Sequence, residues 1–325
     1  QALYRPVHQG GLGAEDGRCV VLDPGGWQLR DRSPVLFRRS ALTAPLPEPI
    51  AGGSLDELRG LLNVDEERFR LVVAWLVAAL VPDIPHPILA LTGEQGTAKS
   101  TAARLVVSLI DPSPAPLRTA PHEMRSWAAA ASASWIVALD NVSSIPDWLS
   151  DTLCKAVTGD GIVERALHTD DDLSILTFRR CIALTSIDAG RLAGDLAERL
   201  LTVELAPIPT DRRRPDAEIA AAYARAQPTI LSALLDVTAQ ALAALPAVQL
   251  DRLPRMADFA QLLGALDRTQ GWCSLADYTE ATADANRAML DADPVARAVC
   301  ALAQQRAWRG THDELRRVIT PERPD

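Results

Sequence analysis

Residues 88–101, Ile-Leu-Ala-Leu-Thr-Gly-Glu-Gln-Gly-Thr-Ala-Lys-Ser-Thr, constrain the fold more than any other stretch of the chain. The apolar run 88–91 makes a short buried strand. Gly93 and Gly96 then mark a turn, and Lys99, Ser100 and Thr101 open a helix-competent apolar run to residue 110. Strand, glycine loop, lysine with hydroxyl, and helix together form the context that a phosphate-binding loop needs. Glycines let backbone N–H groups turn towards phosphate oxygens. The following helix points the positive end of its dipole at the same anion. Gly93, Glu94, Gln95, Gly96, Thr97, Ala98, Lys99, Ser100 and Thr101 are therefore candidates to hold ATP. In this pattern Lys99 reaches the β- and γ-phosphates, and Ser100 offers its hydroxyl to Mg²⁺. The residue before the lysine is Ala98 where glycine is usual, and alanine fits there with a negative φ.

The chain carries 33 lysines and arginines, and only Lys99 and Lys155 are lysines. A lysine kept against that bias marks a place for a compact ammonium rather than a guanidinium fork.

A second buried strand is expected at 135–139. It ends in Asp140 and Asn141, and an acid at the carboxyl end of a parallel strand sits where it can hold Mg²⁺ through water. A third apolar strand, 181–186, ends in the hydroxyls Thr185 and Ser186.

Around these elements the chain reads as four parts. Residues 1–50 are glycine-punctuated and β-rich, with strands expected at 18–22 and 35–38 and an extended proline linker at Pro45, Pro47 and Pro49. Residues 51–86 form a helical collar or core hairpin. One helix opens at the capping-box pattern of Ser54 and Glu57, and another opens at Asp65 and is stopped by Pro82. Residues 87–209 carry the phosphate-loop core, with a short strand at 117–119, an alanine-rich helix to about 133, a helix over 146–157 and a hairpin of 162–167 with 173–178. Residues 210–325 form an all-α domain, with helices expected at 216–226, 228–245, 258–269, 275–289 and 294–308. The fold class expected is α/β, a parallel sheet with helices on both faces.

Composition narrows the function classes. Apolar content of 48% and charged content of 23% are those of a globular chain. The net charge of −9 argues against a surface coated for DNA and still allows a local basic loop. The five scattered cysteines, with no Cys-x-x-Cys, read as reduced thiols of a cytoplasmic protein. No secretory signal is expected, and the longest unbroken apolar run, 71–81, is too short to span a bilayer. The chain begins at Gln1 and reads as a piece of a longer protein.

The order of these motifs, with Lys155-Ala-Val-Thr158-Gly159-Asp160 leading into the hairpin, resembles the superfamily-three helicases within the AAA+-like P-loop ATPases. It is most similar to the primase-helicase ATPases of phages, plasmids and integrated elements in high-GC bacteria. The resemblance covers about residues 54–206. It implies an ATP- and Mg²⁺-dependent helicase that works on single-stranded DNA as a homo-oligomeric ring, a hexamer, with a primase domain or protein as a further partner. By position, Lys155, Arg165 and His168 become DNA contacts on the hairpin, although Asp170, Asp171 and Asp172 make its tip acidic. Thr185 or Ser186 takes the place of the asparagine that senses the γ-phosphate. Arg199 matches the arginine finger that reaches a neighbouring subunit's nucleotide, with Arg191 in reserve. Many members have a glutamate at position 141, and Asn141 can orient water but cannot take its proton. Glu94 is the nearest acid in sequence that could. An alternative reading is a nucleotide-dependent switch that remodels a protein partner, and a weaker one is a small-molecule kinase.

Overall fold

The computed structural model describes residues 3–6, 18–37, 39–165, 173–186 and 194–319. Three short strands come first: β1 (Leu3–Pro6), β2 (Cys19–Asp23) and β3 (Gly26–Arg30), antiparallel in that order. Gly26, at φ 130°, closes the β2–β3 turn, where the Asp23 carboxylate accepts from the Gly25 amide. The strand expected at 35–38 does not form over 35–37, and residue 38 lies outside the described residues. There the Ser33 hydroxyl bonds both the amide and the carbonyl of Val35, a local turn that competes with strand pairing.

The proline-rich stretch after it is tied down. The Ala44 amide donates to the Pro112 carbonyl, the Ile50 amide to that of Pro228, and Leu46 is buried. Next, α1 (Asp56–Arg59) is a single turn, shorter than expected. Glu57 does not complete a capping box, because its carboxylate accepts from Thr229 instead. By contrast α2 (Glu66–Leu80) opens as the sequence indicates, with Asp65 accepting from the Arg68 amide. Residues 71–80 of it are buried, and Trp75 is fully so, which makes α2 a core helix.

The central sheet is parallel. Its strands are β4 (Ile88–Thr92), β5 (Ile136–Leu139), β8 (Cys181–Thr185) and β9 (Leu200–Glu204), in the spatial order β5-β8-β4-β9. The expected strand at 117–119 is reduced to one parallel bridge from Arg118 to Leu139 at the outer edge. Between strands lie α3 (Lys99–Ser108), α4 (Met124–Ala133), α5 (Asp147–Thr158), the hairpin β6 (Gly161–Arg165) with β7 (Leu173–Thr177), and the short α6 (Gly194–Ala197).

Strands buried on both faces explain their near-continuous apolar sequence. Leu89, Leu91, Ile136, Ala138, Cys181, Ala183, Leu201 and Val203 enter one hydrophobic cluster. Their alternate neighbours Ile88, Ala90, Val137, Leu139, Ile182, Leu184 and Leu200 enter a second. The first cluster is filled by α2, α3 and the C-terminal helices, the second by Trp127 of α4 and Leu149 and Leu153 of α5.

The C-terminal helices are α7 (Asp216–Ala244), α8 (Ala257–Gln270), α9 (Ser274–Ala292), α10 (Pro294–Gln305) and α11 (His312–Ile319). Two separate helices were expected across 216–245, and the structure has one of 29 residues running through Pro228. Proline removes one intrahelical bond, but the flanks hold. Tyr223, Ile230, Leu231 and Leu234 are buried in the first cluster, and the Tyr223 hydroxyl donates to the Leu105 carbonyl. By length and composition this helix could cross a membrane, yet more than half of its most apolar stretch is buried inside the protein. Its outer side also receives the small N-terminal sheet, where Trp27 Nε1 donates to Asp236 at 2.8 Å.

Candidate nucleotide site

The loop between β4 and α3 is built from three left-handed residues. Gly93 has φ 139°, Gly96 has φ 85°, and Ala98 has φ 61° and ψ 33°. The negative φ under which alanine would fit without strain is therefore not met at Ala98. The chain must enter α3 through the left-handed region there, and it does so with a residue that carries a Cβ. Only one other described residue besides glycine has a positive φ, Asn141 at 55°, directly after Asp140. Both departures thus flank one site, and strained backbone concentrates where a surrounding structure holds it for function. Gly93 is obligatory for space as well, since a Cβ on it would lie 2.7 Å from the Leu205 carbonyl oxygen.

The helix that follows has no side-chain cap, so no side chain takes up its first amide donors. Lys99 folds back over the loop, its ammonium donating to the carbonyls of Gly93 at 2.8 Å and Glu94 at 2.7 Å. Partial burial pulls its pKa below the ordinary lysine value, and the Asp140 carboxylate opposes that shift.

Asp140 is the hub. Its Oδ1 accepts from the Ser100 hydroxyl at 2.8 Å and from the Thr185 hydroxyl at 2.6 Å. The Thr185 hydroxyl in turn accepts from the Asn141 amide at 2.8 Å. Ser186 points elsewhere: its hydroxyl donates to the Val142 carbonyl, while its amide donates to the Leu91 carbonyl. The ends of β4, β5 and β8 are thereby laced together, although β8 separates the other two strands. An all-oxygen pair such as Ser100 and Asp140 suits a hard cation like Mg²⁺. Among the described residues no cluster of His, Cys, Asp or Glu could hold a metal alone. A cation here would complete its shell with water and phosphate oxygens. Glu94, Gln95 and Asn141 are exposed around the loop, and Thr97 is buried with its hydroxyl on the Glu94 carbonyl.

The remaining candidates sit at the opposite edge of the sheet. The Ile88 amide donates to the Arg199 carbonyl, so Arg199 lies level with the start of β4. At ~3.3 Å per residue that is about 17 Å along the strand from Gly93. Half-buried Arg199 therefore does not join its own chain's β4–α3 loop, and neighbouring Glu198 pairs with Arg255. Exposed Lys155 lies in the last turn of α5, whose Val157 carbonyl accepts from the His86 amide at the same edge. The hairpin leaves from there, with Arg165 paired in register to Leu173 at the outer end of its strands. His168, Asp170, Asp171, Asp172 and Arg191 lie outside the described residues.

One residue went unnoticed in the sequence. The guanidinium of Arg213 lies beside the β4–α3 loop, Nη2 being 3.7 Å from the point a Cβ on Gly96 would occupy. The run Arg212-Arg213-Arg214 was the available signal.

No curated protein matches the chain in sequence. Among solved structures it is similar to one described as SCCmec type IV Cch, active helicase, with TM-score 0.44 and 15% identity over 93% of this chain and 63% of that one. The C-terminal region of NrS-1 gives TM-score 0.40 and 13% identity over 72% of this chain and 55% of that one. The chain thus spans about half the length of that region. JCV helicase gives TM-score 0.30 and 11% identity, covering 72% of each chain. A family model matches residues 55–288, from α1 through most of α9. With well over half of its length matched, the chain belongs to the family described as actinomycete integrative conjugative element replication proteins.

Proposed function

We propose that this replication protein is an ATP-driven motor that moves single-stranded DNA, hydrolysing ATP at the interfaces of a homo-oligomeric ring of hexamer type. The observation that carries the reading is the Ser100–Asp140–Thr185 hydroxyl–carboxylate network beside Lys99 and an uncapped helix N-terminus. These are the parts that bind a nucleoside triphosphate and position it for in-line attack by water.

Each side chain then has a task. The loop amides and Lys99 hold the phosphates, and Lys99 leaves the Gly93 and Glu94 carbonyls to do so. Ser100 and Asp140 would hold Mg²⁺, which would supply charge neutralisation on the phosphate oxygens. Thr185 reads the γ-phosphate through its bond to Asp140. Asn141, exposed and left-handed, orients the attacking water, and Glu94 is the acid available to receive its proton. Arg199, at the far edge, serves the neighbouring subunit's nucleotide, where a fixed bidentate cation stabilises the transition state. Lys155 and Arg165, on and beside the hairpin, contact the DNA backbone.

The test is ATP turnover with and without single-stranded DNA. Stimulation of several-fold, lost in Lys99→Ala, is expected. Turnover that is slow and indifferent to DNA would favour the second reading, a nucleotide-dependent switch acting on a protein partner. That reading is supported by Asn141 standing where a carboxylate would make hydrolysis fast.

A further inference from the structure

We propose that Arg213 is a second cation of the nucleotide site, contributed by the same chain as the phosphate loop, and that it binds the phosphate tail of the nucleoside triphosphate. The inference rests on the nucleotide-binding reading above.

The backbone brings Arg213 there by a short tethered path. As β9 ends, the Leu205 amide donates to the Thr92 carbonyl at 2.9 Å. The Leu205 carbonyl then passes so close to Gly93 that no side chain fits between them. Pro207 and Pro209 stiffen the next residues, and a 3-10 turn, Thr210–Arg212, delivers Arg213 with its amide donating to the Thr210 carbonyl. The side chain ends over Gly96, a residue of the phosphate loop.

Its chemical state is the second point. Arg214, next in sequence, is tied to Glu218 at 2.8 Å. The Arg213 side chain is exposed, and its guanidinium has no carboxylate or hydrogen-bond partner among the described residues. Lys99, the loop's other cation, is engaged by two carbonyls. An unengaged guanidinium beside Gly96 of the candidate phosphate loop is arranged for an anion, and phosphate accepts its fork bidentately. Lying on the same chain as the loop, Arg213 differs from Arg199, whose place at the far edge leaves it only a neighbour's nucleotide. It can therefore act in an isolated subunit.

The experiment is a titration with a fluorescent ATP analogue in Mg²⁺ for wild type, Arg213→Ala, Arg213→Lys, Arg212→Ala and Lys99→Ala, with thermal melts alongside. Arg213→Ala should weaken binding about tenfold to a hundredfold, the scale of a charge-assisted hydrogen bond. Its melting temperature should stay unchanged, since the side chain is exposed and its guanidinium bonds no other described residue. Arg213→Lys should recover part of the affinity, and Arg212→Ala should bind within about twofold of wild type. Wild-type binding with Arg213→Ala unchanged would overturn this inference alone. Equal losses in Arg212→Ala and Arg213→Ala would also overturn it, because the effect would then be a diffuse field. A wild type that binds no better than Lys99→Ala would overturn the nucleotide-site reading and this inference with it.

Discussion

At the scale of single residues, the site is written in backbone angles as much as in side chains. Ala98 holds φ 61° at the entrance to α3, where a Cβ meets steric resistance worth about 1–2 kcal/mol. Replacing it by glycine relieves that strain and loosens the unfolded chain by a smaller amount. Ala98→Gly should thus stabilise the protein by about 0.5–1 kcal/mol in urea denaturation, and a clear loss of stability would contradict the left-handed assignment. The strand, glycine turn and helix of the candidate phosphate loop were legible, because strand, glycines, lysine and hydroxyl all fall within 14 residues, 88–101. The conformation of Ala98 was not, since residue type alone favoured a negative φ and the loop's path decided otherwise. Thr185 was legible only as an alternative to Ser186. Burial and strand register turn the Thr185 hydroxyl to Asp140 and send that of Ser186 to the Val142 carbonyl.

At the scale of elements, the buried parallel strands were the easiest to read, because both faces demand apolar residues and few other patterns look alike. The helix α7 was misread at Pro228, since proline is a strong local stop signal. Tertiary contacts outweigh it. Residues on either side are buried, and the chain around 50–57 is bound to that same stretch through Ile50, Glu57 and Gly53. Gly53 is the sharpest contact. A Cβ there would lie 1.9 Å from the Thr229 carbonyl oxygen, which is backbone and cannot swing aside. Gly53→Ala should destabilise the fold by about 1–3 kcal/mol, the usual cost of forcing an atom into a packed interface. Denaturation indistinguishable from wild type would mean that this segment is not docked on α7. The capping-box reading of Ser54 and Glu57 failed for the same cause, as Thr229 recruits the Glu57 carboxylate from across the interface.

At the scale of the whole molecule, the central sheet separates two sets of candidate residues. Its carboxyl edge carries the candidate phosphate loop, Asp140 and Thr185. Its amino edge carries Arg199, Lys155 and the base of the hairpin. Arg199 lies about 17 Å along β4 from Gly93, so under the proposed function a single chain would lack its finger arginine. The proposed ring would resolve this, because each amino edge could face a neighbour's nucleotide. Sequence could propose Arg199 but not this separation, which follows from the parallel pairing of β9 with β4.

The most direct test is ATP turnover by a mixture of two inactive variants, Lys99→Ala and Arg199→Ala, in single-stranded DNA. Each alone should lose about 10³-fold or more, as removal of an arginine finger does. Arg199→Ala should nevertheless still bind ATP. Mixed subunits should regain part of the wild-type rate, because an intact phosphate loop in one can meet an intact Arg199 in the next. No recovery on mixing, or full turnover by Arg199→Ala alone, would contradict hydrolysis at subunit interfaces.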